Sequence, residues 1–207
     1  MRYMQRGFSV RYLQASFLVF LAGSFGTATA NAQSNQPNKF PQIKIDNFGQ
    51  MSERLYRGAQ PEESDYKALA ALGINTIIDL RNDPTEYARS ATETAGMKYV
   101  NIPMSDKKRP SDEQIEAFLK LIKDSTTGVF YIHCRGGRHR TGVMGAVYRY
   151  NTDGWNYDQV YKEMKHYDYY SRWGHGALKE YVQDYYQRIQ TNAITVSSGA
   201  ASSNPNQ

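Results

Sequence analysis

Cys134 is the only cysteine in the 207 residues, and three arginines and two histidines crowd within six positions of it, in the run HCRGGRHRTG at 133–142. Two chemistries meet in this spacing. Consecutive peptide N–H groups, curled by Gly136 and Gly137, can converge on one point, where a helix N-terminus adds its partial positive charge. That is a cradle for a tetrahedral oxyanion. Arg140 closes the loop with a planar fork suited to two oxygens of a phosphate. The same field stabilises a thiolate, the nucleophilic form of cysteine. A buried, inert cysteine at a strand end would explain Cys134 alone and leave the arginines beside two glycines without a purpose.

Such a loop needs a strand to deliver it and a helix to receive it. VFYIH at 129–133 reads as the strand, and a helix starts at Thr141, with Gly142, Gly145 and Ala146 allowing close approach. Elsewhere, short apolar runs at 55–57, 75–80 and 99–102 alternate with helical patterns at 61–72, 84–95, 111 onward, 157–166 and 177–189. Ser111 and Gln114 have capping-box spacing, and Ile115, Phe118, Leu119 and Ile122 fall on one helix face. This alternation predicts an α/β fold: a central, mostly parallel sheet of four to five strands flanked by helices. Ligands of such sheets bind beyond the carboxyl ends of the strands, where the 133–142 run sits.

Cys134, five intervening residues, then Arg140 and Thr141 resemble the signature of the cysteine-dependent protein tyrosine and dual-specificity phosphatases. The GRHRTG ending is most similar to the atypical plant-and-fungal dual-specificity branch and its bacterial relatives. Segments like YRGAQP (56–61) and DLR (79–81) occur there too, so the likeness covers roughly 45–190. The resemblance implies that Cys134 attacks phosphorus, giving a phosphocysteine intermediate. Arg140 and the loop of Arg135, Gly136, Gly137, Arg138 and His139 would hold the phosphate oxygens. Thr141 would hydrogen-bond the sulfur, besides serving as a helix cap. His133 is expected to orient the loop through hydrogen bonds, and Arg57, Asp79 and Arg81 to brace it. The family's proton donor is an aspartate on a separate loop. NIPMSDKKRPSDEQ (101–114) offers Asp106 and Asp112, and Asp106 is chosen because Asp112 falls in a helix's first turn.

Arg135, Arg138 and His139, with Lys107, Lys108 and Arg109 on the acid loop, suggest a cationic rim that suits a polyanion better than an isolated phosphotyrosine, and the resemblance to the plant and fungal branch implies inositol polyphosphates or pyrophosphates as substrates. The expected partner is a phosphorylated substrate. Neither a cofactor nor a metal is expected, because the four histidines lack the short pairings of a metal site. A rhodanese-like sulfurtransferase and a non-catalytic phosphate-binding module are the rival readings. The close at Arg140–Thr141 with a candidate acid loop speaks against the first, and the joint presence of Cys134, Arg140 and Asp106 against the second. Trp173 is expected in the core, HYDYYSRW (166–173) as a helix packing face, and His175 as marginal to the site.

Residues 1–32 read as a signal peptide: Arg2, Arg6 and Arg11, an apolar run too short to span a bilayer, then Ala30 and Ala32 spaced for cleavage. Export to the periplasm or beyond is the expectation, with no stable membrane insertion after cleavage. Losing those three arginines takes the formal charge from +5 to +2, so global charge gives no reason to expect nucleic acid. A flexible leader is expected at 33–42, one domain at 43–190, and a disordered tail at 191–207.

Overall fold

The fold is that of a computed structural model, which describes residues 39–201, with side chains through 192. The expected signal segment, most of the leader and residues 202–207 lie outside the described residues. In chain order the elements are β1 (Gly49–Gln50), β2 (Leu55–Gly58), α1 (Asp65–Ala71), β3 (Thr76–Arg81), α2 (Tyr87–Thr94), β4 (Lys98–Met104), α3 (Asp112–Lys123), β5 (Phe130–His133), α4 (His139–Tyr148), α5 (Tyr157–His166) and α6 (Gly176–Ala201). A 3-10 turn at Ser125–Thr127 precedes β5, and a π-turn at Arg149–Asp153 follows α4.

The sheet has five strands in the order β1-β2-β5-β3-β4. Only the β1–β2 pair is antiparallel, and β5 lies between β2 and β3, parallel to both. Every residue of β3 and β5 is buried, because helices cover both faces. The two-residue period of a strand sorts their side chains between two cores. Ile78, Leu80, Phe130 and Ile132 join the core that holds residues of α3–α6. Ile77 and Tyr131 join that of α1 and α2.

α4 is buried at all ten positions: beyond His139, Arg140 and Thr141, which face the site, it is apolar on every side. A Cβ on Gly145 would come within 3.0 Å of Met51 Cε, so the small residue sets how closely the β1–β2 region approaches. Ser111 accepts from Gln114 N and Gln114 reaches back to Ser111 N, completing the capping box that starts α3.

Several expectations are corrected. Phe40, assigned to the flexible leader, packs edge-on against Phe48 and Tyr56 at 5.4 and 5.7 Å. α6 continues through 191–201, where a disordered tail was expected; no proline interrupts the chain before Pro205, so the helix propagates from its packed part. The 166–173 stretch is not a helix face, because α5 ends at His166 and Asp168 turns left-handed (φ 58°). Trp173 is not in the core. It also sits in the left-handed region (φ 63°), followed by Gly174 at φ 88°, and this turn leaves it 79% exposed. Tyr169 and His175 take the buried positions there.

Candidate active site

Residues 134–138 join β5 to α4 at the carboxyl end of the sheet. Four consecutive carbonyls of this loop, from Arg135 to Arg138, are engaged by other segments or by the helix that follows. Arg135 O accepts from Gln60 N (3.2 Å), Gly136 O from Asn47 Nδ2 (2.9 Å), Gly137 O from Arg57 Nη2, and Arg138 O from Gly142 N (3.1 Å). A trans peptide points its N–H opposite to its C=O. The N–H groups of Gly136, Gly137, Arg138 and His139 are thereby turned opposite to these carbonyls. Consistent with this, the main-chain N–H groups of Arg138 and Thr141 both act on Cys134.

Gly137 is the loop's tightest point. Its φ is +65°, and a Cβ there would stand 2.5 Å from Gly58 C and 2.6 Å from Ala59 N, both main-chain atoms that cannot swing aside. Gly137→Ala is therefore expected to cost about 3 kcal/mol or more in stability, read as a lower urea midpoint, with activity falling as the loop is displaced.

Cys134 is 3% exposed. Burial pushes its pKa up, but the Thr141 hydroxyl, the Arg140 charge and the two main-chain N–H groups outweigh this, and the thiol lies below its ordinary value. Thr141 Oγ1 is buried without a hydrogen-bond partner of regular geometry, and its interaction with Cys134 is read from the lowered pKa of the thiol. Arg140 Nη1 donates to Asn82 Oδ1 and Met104 O, both at 3.2 Å, tying the guanidinium to the ends of β3 and β4. The Nε atoms of Arg138 and Arg140 are buried without hydrogen-bond partners.

Arg57 is the brace beneath the loop. It is 1% exposed, donates to Gly137 O and lies 4.0 Å from the Tyr167 ring centroid. Asp79 accepts from Arg81 N (2.9 Å) and from Tyr99 OH (3.0 Å), so it holds the end of β3. The hydrogen bonds expected of His133 are not formed. Its ring is fully buried with neither nitrogen partnered, 3.9 Å from Asp79 Oδ1, and stacks on Tyr131. Burial, opposed by Asp79, lowers its pKa to about 4, so it is a neutral filler of the sheet end at neutral pH.

A cleft of about 560 Å³ opens over the loop, lined by Cys134, Arg135, Gly136, Arg138, His139 and Arg140 together with Asn82, Asp83, Asp106, Tyr170 and His175. Asp106 is brought to this cleft. Asp112 is not: it lies in the first turn of α3, 3.7 Å from Arg188 Nη1. The expected cationic rim is smaller than the sequence suggests. Arg109 turns away to Asp184 (2.6 Å) and Glu180 (3.7 Å) on α6. Lys107 and Lys108 are exposed and do not line the cleft, Arg135 pairs with Asp83 (2.6 Å), and Arg138 stands 3.8 Å from Asp168. Of the lining residues, sequence reasoning missed Asn82, Asp83 and Tyr170, and left His175 marginal. Asn82 and Asp83 follow the carboxyl end of β3, a position that the sheet rule could have flagged.

A parallel sheet that delivers a cysteine into a loop closed by arginine at a helix N-terminus defines a phosphatase of the tyrosine and dual-specificity class. Residues 34–181 match the family described as the DSP-PTPase phosphatase fused to NAD+ kinase, and the chain belongs to that family. It is 27% identical over 154 residues to the probable tyrosine-protein phosphatase DG1060 of Dictyostelium discoideum, spanning 72% of this chain and 89% of that one. It is also 27% identical over 134 residues to inositol diphosphatase DSP2 of Oryza sativa, covering 58% of this chain and 61% of that protein. Among solved structures, P. aeruginosa TpbA superposes with a TM-score of 0.58 at 25% identity, over 68% of this chain and 84% of that one. The protein is accordingly a phosphatase, a hydrolase of phosphate monoesters.

Proposed function

We propose that the reaction runs through a phosphocysteine intermediate, with Cys134 as nucleophile and Asp106 as proton donor. The observation that carries this reading is the outward tethering of four consecutive loop carbonyls around a thiol held below its ordinary pKa. The Cys134 thiolate forms a bond to phosphorus as the bond to the leaving oxygen breaks. The inward N–H groups and Arg140 hold the three equatorial oxygens, and Asp106 gives its proton to the departing alkoxide or phenoxide. In the second step Asp106 takes a proton from water, whose oxygen attacks phosphorus. The sulfur leaves as thiolate, stabilised by the Thr141 hydroxyl. Inorganic phosphate is the product.

The favoured substrates are highly phosphorylated small molecules of the inositol polyphosphate kind. The likeness to the rice inositol diphosphatase supports this, as do the guanidinium groups of Arg135, Arg138 and Arg140 around one cleft, the first two shared with Asp83 and Asp168. Turnover of inositol hexakisphosphate is expected to exceed that of a phosphotyrosyl peptide. Equal or better use of the peptide defeats the polyanion assignment without touching the chemistry. The site of action is taken to be outside the cytoplasm, on the strength of residues 1–32. Sequencing the N-terminus of the protein recovered from its host tests this, and an intact Met1 would refute it.

A further inference from the structure

His139 and His175 form a face-to-face pair in the wall of the cleft, with ring centroids 3.6 Å apart and planes inclined by 11°. Each commits one nitrogen to a main-chain carbonyl: His175 Nδ1 to Asp106 O at 2.7 Å, and His139 Nε2 to Tyr170 O at 3.1 Å. A carbonyl oxygen only accepts, so both of these nitrogens carry a proton. The pair thereby clips together three segments far apart in the chain: the acid loop, the first turn of α4, and the turn between α5 and α6. His175 is itself held, because Tyr169 OH donates to its carbonyl (3.2 Å). Burial and the neighbouring His175 lower the pKa of His139 to about 4, so that ring is neutral at neutral pH.

Among the described residues, no side-chain hydrogen bond or ion pair fixes the Asp106 carboxyl. The acid loop has other ties of its own, since Ser105 Oγ accepts from the N–H groups of Lys107 and Lys108, both at 3.2 Å. Those hold the loop to itself. Arg140 ties the loop's start to the phosphate-binding side through Met104 O, and the bond from His175 is the one made to Asp106 itself.

We propose that His175 is a positioning residue for Asp106, anchoring the main chain of the acid residue to the phosphate-loop helix through the stack on His139. The location of the carboxyl in the cleft that Cys134 also lines then depends on an imidazole that need not touch the substrate. This rests on the assignment of Asp106 as proton donor, and the experiment separates the two.

The test is a double-mutant cycle of His175→Ala and Asp106→Asn. It is assayed on phenyl phosphate, whose phenoxide needs a proton, and on 6,8-difluoro-4-methylumbelliferyl phosphate, whose phenol leaves unaided. His175→Ala is expected to lower kcat on phenyl phosphate by about tenfold or more, with little change on the second substrate or in inhibition by inorganic phosphate. In the Asp106→Asn background the same substitution is expected to change neither rate. Equal losses on both substrates, or an undiminished loss in that background, would overturn the proposal. If Asp106→Asn alone shows no dependence on the leaving group, the acid assignment fails first and the proposal falls with it. Should His175→Ala not fold, His175→Asn and His175→Gln carry the test. Asn can present its amide N–H near the Nδ1 position and is expected to retain most of the phenyl phosphate rate; Gln presents it near Nε2 and is not. Equal behaviour of the two would refute the anchoring bond.

Discussion

Replacement of Cys134 by serine is expected to abolish turnover, by a factor on the order of 10⁴ or more, while inorganic phosphate still binds. The two effects part because they arise from different atoms. The oxygens are held by the N–H groups of the loop and by Arg140, whose tethers to Asn82 and Met104 do not involve the sulfur. A serine hydroxyl gains nothing comparable from the same field, since its pKa is too high for the cradle to ionise it. The thiol itself offers a second readout. Its folded pKa is depressed, so the thiolate persists as pH falls below the ordinary range of a free cysteine, and iodoacetamide should continue to react there. Thr141 supplies the largest of the stabilising effects, so Thr141→Val should move the alkylation midpoint upward. Arsenate should protect the wild-type thiol. An ordinary alkylation profile without such protection would remove the basis for Cys134 as nucleophile.

The next largest effect is expected at Asp106. Asp106→Asn should slow hydrolysis of an alkyl phosphate by about 10²-fold or more, and that of an aryl phosphate with an acidic phenol by far less. An alkoxide is too basic to leave without a proton, whereas a stabilised phenoxide departs as the anion. The amide keeps the size of the carboxyl and loses only its acidity, so the contrast between substrates isolates proton transfer. Asp112→Asn serves as the control. That carboxylate lies at the start of α3 near Arg188, and its loss should leave both rates near wild type. A near-wild-type rate for Asp106→Asn on the alkyl phosphate would reject the assignment.

The strand–loop–helix unit around Cys134 is legible in the sequence because it is local. An apolar run, two glycines and an arginine at fixed spacing are enough to mark the turn. The capping box of α3 and the full span of α5 are legible for the same reason. What the sequence hides is long-range or irregular. Arg109 looks like part of the substrate rim until α6 supplies Asp184 and Glu180 as partners. Tyr170 and His175 reach the cleft from a turn without periodicity, and no pattern separates them from Trp173, which the left-handed backbone turns into solvent. His133 looks like a hydrogen-bonding loop residue and proves to be a ring packed at the sheet end. Its surroundings come from Tyr131 on its own strand and from Asp79 on a neighbouring one. α6 runs on past the expected boundary because a helix that is already nucleated and docked needs only tolerable residues to continue.

The outward ties of the phosphate loop reach across much of the chain: Asn47 is 89 residues from Gly136, and Arg57 is 80 from Gly137. Local sequence can shape the turn, but only closure of the sheet brings these anchors beneath it. A chain still emerging from synthesis, or one that has shed β1 and β2, would carry an ordinary thiol of low reactivity. The lowered pKa of the thiol therefore arrives together with global folding, and the rate at which the sulfur acquires it during refolding times the docking of the first strands onto the last.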